Sequence, residues 1–254
     1  MAYETEWMRL TAEELRARAA EDALVIVPVA SLEQHGPHMA TGVDIILASG
    51  VAARTAAGLV DAGAKVVVTP CVWTGLAEHH MEFGGTVTLD YAGFAGVLRG
   101  IVRSAARHGF RRVMLLNGHG GNAEAVMVAA SEFTIEFGIK VAAGTYWHMV
   151  PEVIAPILER QAGLMHACEA ETSMMLTLHP DSVRQARLPE AHGPMSTRVE
   201  GQPPGLALRR SFRALSETGV VGDARVASAE KGERLLSAIS AKLTELLLNP
   251  KLWA

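Results

Sequence analysis

The stretch ALVIVPVA at Ala23–Ala30 is apolar at every position and has the length of a β-strand. A strand with two apolar faces is typical of a parallel sheet that helices cover on both sides. Three more largely apolar runs of strand length follow, at Lys65–Thr69, Arg112–Leu116 and Lys140–Trp147. We therefore predict a mostly parallel central sheet built from these four segments.

Segments with a helical spacing of apolar residues alternate with these strands. They are Asp44–Leu59, Tyr91–His108, Asn122–Phe137, Glu169–Leu178 and Ala227–Leu248. Alternation of strand and helix implies right-handed crossovers, so the predicted fold class is α/β, a three-layer αβα sandwich. The proline- and glycine-rich stretch from about Pro180 to Gly222 is predicted to be a long irregular loop. Because no flexible linker or internal repeat is visible, we expect residues 1–254 to form a single domain.

Composition limits the classes of function that this chain can have. With 254 residues, 49% of them hydrophobic, the chain can bury a large core and does not need a metal in order to fold. Any bound metal is therefore expected to be catalytic. The net charge of −4 argues against a nucleic-acid partner bound by a broad basic surface. The arginine pairs at Arg111–Arg112 and Arg209–Arg210 are interpreted as solvated surface.

Cysteine content and the N-terminal residues indicate the compartment. Cys71 and Cys168 do not make a disulfide framework, which favours a reducing cytoplasm. Charged residues in the first ten positions argue against a signal peptide. We find no uninterrupted run of about 18 apolar residues, so no membrane span is predicted.

The octapeptide SLEQHGPH at Ser31–His38 directly follows the first predicted strand. Glu33 and His35 are two residues apart, so both would point to the same side of an extended segment. A carboxylate and an imidazole are ligands for divalent cations. Alternatively, the segment is a surface loop that happens to contain an acid and a histidine.

Asp44 begins an apolar helix shortly after this segment. Aspartate is a preferred N-cap residue, so a purely structural role is one interpretation. The other is a metal ligand, because the two oxygens of one carboxylate can bridge two cations. Both interpretations can hold together.

The hexapeptide NGHGGN at Asn117–Asn122 lies between a predicted strand and a predicted helix. Three glycines around His119 would let the backbone approach a ligand closely. The alternative is a phosphate-binding loop at a helix N-terminus. However, the glycine spacing is not that of GxGxxG, and no GK[ST] sequence follows.

Two further clusters carry titratable residues. The octapeptide HACEAETS at His166–Ser173 contains Glu169 and Glu171, which could alternatively be a plain acidic first turn of a helix. The tripeptide EHH at Glu78–His80 could be an ordinary polar loop. Because ligands bind beyond the carboxyl ends of the strands in α/β sheets, we expect these clusters to converge on one site.

Taken together, these motifs resemble those of the creatininase family over Val27–Gly232. The motifs are SxEQHGPH at Ser31–His38, GxD at Gly42–Asp44, Glu78–His79 with Gly85–Thr86, NGHGGN at Asn117–Asn122, and HAxExETS at His166–Ser173. The resemblance implies a creatininase-like fold and two divalent metal ions, which would be Zn, Mn or Fe. It also implies a homo-oligomer, with a hexamer as one possibility.

The resemblance assigns ligand roles to Glu33, His35, Asp44 and His119, with Asp44 as the bridge. Creatininase-like members have a further glutamate two residues after the histidine that matches His119, where this chain has Gly121. We expect Glu169 to supply the missing carboxylate, with Glu171 as the second choice. Otherwise Glu171, like Asn117, would support the ligands from behind.

The resemblance implies a metal-dependent amidohydrolase that cleaves a linear or cyclic C–N amide bond of a small molecule. Two cations would activate a hydroxide, and His166, which matches a catalytic histidine of the family, would carry a proton to the leaving nitrogen. Glu78, His79, Tyr146 and Trp147 are expected to line the substrate pocket, although Tyr146 and Trp147 could equally be core aromatics at a strand end. Gly121 argues against creatinine as the substrate. The alternatives are a family peptidase that trims a modified precursor peptide and a Rossmann-like nucleotide-binding protein.

Overall fold

The structure is a computed structural model that describes residues 3–198, 201–203, 206, 208 and 210–254. A parallel sheet lies at its centre, with strands β1 (Leu24–Val29), β2 (Val66–Val68), β3 (Arg112–Asn117) and β4 (Lys140–Thr145). The strand order is β2-β1-β3-β4. Every residue of β1 is buried, as its two apolar faces predict.

Helices cover both faces of this sheet. The α-helices within the described residues are α1 (Ala12–Ala20), α2 (Val43–Asp61), α3 (Tyr91–Arg107), α4 (Ala123–Phe137), α5 (Tyr146–Met149), α6 (Pro151–Ile154), α7 (Glu169–Leu178), α8 (Phe212–Leu215) and α9 (Ala229–Leu248). Side chains alternate across β1. Ile26 packs into a core with α2, α7 and α9, whereas Val25 and Val27 pack into a second core with α3 and α4. The predicted three-layer α/β sandwich is confirmed.

Three local predictions differ from the structure. Helix α1 was not predicted, because it buries no residue and so carries no apolar stripe. The fourth strand ends at Thr145, two residues earlier than predicted, and Tyr146–Met149 is helical instead. The loop predicted from Pro180 to Gly222 contains 3-10 turns at Pro180–Ser182 and Gln185–Glu190, as well as α8. Arg209, which was assigned to the solvated surface, lies outside the described residues.

Helix α2 is long and apolar enough to cross a membrane by length and composition alone. About half of its apolar window is buried in the protein, and its buried face packs against β1, α7 and α9. Its contacts are therefore those of the core helix of a globular domain.

Close packing at Gly118 brings α2 against the loop that follows β3. A Cβ atom at Gly118 would lie 2.8 Å from the Ala48 Cβ, which leaves room only for glycine. The start of α2, with Asp44, is thereby held beside His119. The fold thus joins two segments that are far apart in sequence.

Candidate metal centre

Seven titratable side chains meet beyond the carboxyl ends of β1 and β3, and all are buried or nearly so. They are Glu33, His35, Asp44, His80, His119, His166 and Glu171. Three overlapping groups have ligand atoms within 4.8 Å of one another: Glu33–His35–Asp44, His35–His166–Glu171 and Glu33–His80–His166. In the structure, motifs that are far apart in sequence meet at one site, as predicted.

Two histidines direct one ring nitrogen at backbone and the other at carboxylates. His35 Nδ1 lies 3.1 Å from the Glu33 carbonyl oxygen, and His119 Nε2 lies 3.2 Å from the Leu76 carbonyl oxygen. Carbonyl oxygens only accept hydrogen bonds, so these outer nitrogens carry the protons. In a neutral ring, the inner nitrogen then presents a lone pair. Metal-binding histidines are held in this way.

The inner nitrogens lie close to carboxylate oxygens. His35 Nε2 is 3.1 Å from Asp44 Oδ1, and His119 Nδ1 is 2.9 Å from Glu33 Oε2 and 3.2 Å from Asp44 Oδ2. With the rings neutral, however, Glu33 Oε2, His35 Nε2, Asp44 Oδ2 and Glu171 Oε2 are buried atoms with no hydrogen-bond partner. Buried polar atoms normally have one, so these atoms fit a metal ion as their partner.

The pKa values reflect the same crowding of charge. Burial would lower the pKa of both histidines, but neighbouring carboxylates raise it to about 9 for His35 and about 10 for His119. Burial raises the pKa of Glu171 to about 8, with nearby Asp44 and Glu33 adding to the effect. Burial also raises the pKa of Glu33, whereas the charges of His35 and His119 hold that of Asp44 well below its usual range. Cations in the site would replace the protons on these ligands.

Glu169 does not face this cluster, which corrects its choice as the missing carboxylate. It is fully buried and accepts hydrogen bonds from Lys231 Nζ at 2.7 Å and from the backbone N–H groups of Glu159 and Arg160 at 3.0 Å. Glu171 lies in a metal-binding group with His35 and His166 instead. The two residues are two positions apart on a helix and so point in different directions.

Gly121 has no room for a side chain. A Cβ atom there would lie 2.3 Å from both His119 Nε2 and the Leu76 carbonyl oxygen. The contact that orients His119 therefore occupies the space where a carboxylate at this position would begin. Close packing at Gly118 and Gly121 favours the metal-site interpretation of this loop over the phosphate-binding one.

Asn117 and Asn122 fix the loop around His119. The Asn117 amide donates to the His119 carbonyl oxygen at 2.6 Å, and its carbonyl oxygen accepts from the His119 N–H at 3.2 Å. Asn122 accepts from the Leu76 N–H and donates to the Ala30 carbonyl oxygen. Asn117 therefore holds the His119 backbone in place.

The four residues predicted to line the pocket differ in their surroundings. His79 stacks on His119 with ring centroids 5.7 Å apart, and buried Tyr146 lies near enough to feel the charges of Glu171 and Asp44, although burial is the main cause of its raised pKa. Trp147 is half-buried and packs edge-on against Tyr146. Glu78 is exposed and begins a 3-10 turn at Glu78–Phe83.

The structural interpretation of Asp44 as an N-cap is wrong. The helix begins at Val43, and Gly42 is the N-cap residue. Asp44 lies within the first turn, is nearly fully buried, and contacts His35 and His119.

Sequence reasoning missed three residues of the site. His80 lies 3.2 Å from Glu33 Oε1, and Gln34 contacts both His80 and His166. Phe212, on α8, packs its ring against His80, His166 and His79 at centroid distances of 4.1, 4.7 and 5.5 Å. His80 adjoins His79 in sequence, and Phe212 lies in an irregular region, so neither carried a distinguishing signal.

Comparison with known proteins agrees with this geometry. A family model described as creatininase, creatinine amidohydrolase, matches residues 8–247. A creatinine amidohydrolase from Pseudomonas putida is 36% identical over 243 residues, covering 89% of this chain and 90% of that protein. A mycofactocin precursor peptide peptidase from Mycolicibacterium smegmatis is 32% identical over 216 residues, covering 84% of this chain and 80% of that protein.

Solved structures are similar over nearly the whole chain. A creatininase structure described with Mn has a TM-score of 0.82 at 30% identity, covering 96% of this chain and 98% of that one. A mutant creatininase described as the Zn-Zn type has a TM-score of 0.81 at 30% identity, with coverages of 97% and 98%.

Proposed function

Because the chain belongs to the creatininase family of hydrolases acting on carbon–nitrogen bonds, we propose that it hydrolyses a linear or cyclic amide bond of a small molecule with the help of two divalent metal ions. The observation that carries this proposal is the set of buried, unpartnered ligand atoms on Glu33, His35, Asp44 and Glu171. Creatininase structures described with Mn and with Zn support the choice of metals, and Fe is a third candidate.

Five side chains would hold the two ions. They are Glu33, His35, Asp44, His119 and Glu171. Asp44 suits the bridging role, because one of its oxygens is 3.1 Å from His35 and the other is 3.2 Å from His119. When bound, a pair of divalent ions lowers the pKa of water and polarises a carbonyl group.

His166 would move the proton that amide hydrolysis requires. Its Nε2 lies 2.9 Å from the Gln34 carbonyl oxygen and must donate to it, so the neutral ring keeps a lone pair on Nδ1. Nδ1 is directed at the cluster, 3.6 Å from Glu33 Oε1. Burial keeps the pKa of His166 well below its usual range, so this nitrogen is free to take up a proton and pass it to the leaving nitrogen.

Aromatic rings would form the wall against which the substrate is oriented. Phe212 and His79 border the cluster on one side, and Tyr146 borders it near Glu171. These rings would exclude water around the reacting amide. Trp147 and the exposed Glu78 are proposed to lie further out, at the mouth of the pocket.

The substrate is proposed to be an amide other than creatinine, because Gly121 replaces the glutamate of creatininase-like members. A peptidase that trims a modified precursor peptide is the second candidate. The 32% identity to the mycofactocin precursor peptide peptidase favours it. A panel containing creatinine, formamides, cyclic amides and short peptides would separate these candidates by kcat/KM.

The test of the proposed function is removal of the metal and then of His166. Chelation should abolish hydrolysis while circular dichroism stays unchanged, and Zn²⁺ or Mn²⁺ should restore activity. His166→Ala should lower kcat by about 10²–10⁴-fold with metal content intact. Full activity after exhaustive chelation would overturn the metal requirement, and loss of metal in His166→Ala would make His166 a ligand.

The oligomeric state, the location and the partners of the enzyme are also proposals. A homo-oligomer, a cytoplasmic location, and the absence of nucleic-acid and membrane partners fit the sequence composition. Light scattering of the purified protein would test the oligomer.

A further inference from the structure

The side chain of Gln34 lies between two histidines of the site. Its Nε2 atom is 2.9 Å from His80 Nδ1, 3.0 Å from His166 Nε2 and 3.1 Å from the Gly219 carbonyl oxygen. Its Oε1 atom accepts a hydrogen bond from the Gly36 N–H at 2.9 Å. That bond fixes which end of the side chain is the amide nitrogen.

The number of available protons decides which contacts are hydrogen bonds. His166 Nε2 must donate to the Gln34 carbonyl oxygen, so it cannot also accept from the Gln34 amide. The amide has two protons, and two acceptors remain, namely His80 Nδ1 and the Gly219 carbonyl oxygen. This assignment satisfies every donor and acceptor around Gln34, and no other assignment does.

The assignment fixes the proton of His80. Since His80 Nδ1 accepts from Gln34, the neutral ring carries its proton on Nε2, which lies 3.2 Å from Glu33 Oε1. His80 is almost fully buried, and because its Nδ1 accepts a hydrogen bond from Gln34 and so carries no proton, the ring is neutral. His80 is therefore a hydrogen-bond donor to Glu33, unlike His35 and His119, whose inner nitrogens present lone pairs when the rings are neutral.

We propose that Gln34 is a positioning residue that acts through His80 on Glu33. We call the two successive hydrogen bonds, from the Gln34 amide to His80 Nδ1 and from His80 Nε2–H to Glu33 Oε1, the relay. The relay keeps the His80 N–H directed at Glu33 Oε1. Glu33 Oε2 lies 2.9 Å from His119 Nδ1 and has no hydrogen-bond partner when His119 is neutral, so it is then the oxygen left to bind an ion. Glu33 would accordingly hold its metal through one oxygen, and His80 would not be a ligand.

The loop at Gly219 is shaped around this amide. Gly219 has a φ of +77°, and a Cβ atom there would lie 2.2 Å from Gln34 Oε1. Any side chain at Gly219 would therefore displace Gln34. This packing offers a second way to perturb the relay, without changing Gln34 itself.

The direct test is the protonation of His80, read by ¹⁵N NMR of histidine-labelled protein without metal. His80 signals are assigned by their loss in His80→Phe. The proposal predicts a proton on Nε2 and an unprotonated Nδ1. A proton on Nδ1 of His80 would overturn the proposal. This readout needs no substrate and no activity, so it stands even where the proposed function, on which the metal role of Glu33 rests, fails.

The second test measures metal affinity with Mn²⁺ alone. Gln34→Leu and Gly219→Ala should each weaken one of two binding events by about 10–100-fold, the effect expected when a partner of a ligand is removed. Gln161→Leu is the matched control, because this buried glutamine bonds to the backbone of Gly163 and Asp223 and to the Cys168 thiol rather than to His80.

The relay is supported if Gln34→Leu and Gly219→Ala both bind Mn²⁺ more weakly while the affinity of Gln161→Leu stays within twofold of that of the parent protein. Unchanged affinity in folded Gln34→Leu, or an equal loss in Gln161→Leu, would overturn it. If both site variants failed to fold, the His80 protonation state of the parent protein would still decide the question.

Discussion

Glu169 and Glu171 lie two residues apart on α7, and both are buried, but their environments are opposite. The Glu169 carboxylate is saturated by the Lys231 ammonium and by two backbone N–H groups. Glu171 lies among Glu33, Asp44 and the histidines, and its Oε2 has no hydrogen-bond partner. Residues two apart on a helix differ by about 200° in direction, so one helical turn serves two separate clusters.

The difference separates a structural buried cluster from a functional one. Around Glu169, positive and negative groups are matched, and the result ties the segment before His166 to α9. Around Glu171, three carboxylates crowd together with imidazoles and leave ligand atoms unpartnered. A buried cluster with too much negative charge is stable only with protons or cations added.

The largest effect is expected at the bridging carboxylate. Asp44→Ala should lower kcat/KM by about 10³-fold or more, because the site would no longer hold both ions. Elemental analysis should find fewer than two metals per chain, with secondary structure unchanged. Lys231→Met is the matched change in the other cluster and should leave both metals in place. Loss of metal in Lys231→Met would merge the two clusters that we separate.

A smaller effect, on stability, should distinguish the two glutamates. Glu169→Ala should lower the free energy of unfolding by about 3 kcal/mol, because it leaves the Lys231 ammonium without its buried partner. Glu171→Ala should not destabilise the metal-free protein, since it removes a buried carboxylate that lacks a full set of partners. Urea denaturation with and without chelator measures both.

The opposite pattern, with Glu169→Ala losing a metal and Glu171→Ala losing stability, would restore the assignment of Glu169 as a ligand.

The smallest expected effect is the pH dependence of metal affinity. The raised pKa values of His35, His119 and Glu171, about 9, 10 and 8, mean that these ligands hold protons at neutral pH in the metal-free protein. Metal ions must displace those protons, so apparent affinity should rise with pH from 6 to 9, by about tenfold per unit for each proton released. Titration of Mn²⁺ into lightly buffered protein, with the released acid recorded, measures this.

Glu171→Gln should release one proton fewer at pH 7 than the parent protein. An affinity that stays flat between pH 6 and 9 would contradict the pKa pattern of the centre.

The sheet could be predicted from sequence mainly because β1 and β3 are apolar runs, and both are almost entirely buried. Helix α1 could not, since it begins at a capping box of Thr11 and Glu14 and contains no fully buried residue. Tyr146 and Trp147, the first two residues of a short helix, were mistaken for strand, because aromatic residues favour strands and local propensity yields to tertiary packing.

Part of the metal centre could also be predicted from the positions of its residues relative to the predicted strands and helices. Glu33, His35, Asp44 and His119 follow strand ends or begin a helix, where side chains meet at one edge of the sheet. The choice between Glu169 and Glu171 needed the direction of each on α7, which depends on what packs against that helix. His80 and Gln34 act through hydrogen bonds to residues distant in sequence, and no local pattern encodes those.

The most direct measurement is anomalous diffraction from crystals of the protein grown with Mn²⁺. The account predicts two peaks, one between Glu33, Asp44 and His119 and the other between His35, Asp44 and Glu171, with none beside Glu169. A single peak, or a metal bound at Glu169 while the cluster around Asp44 binds none, would contradict it.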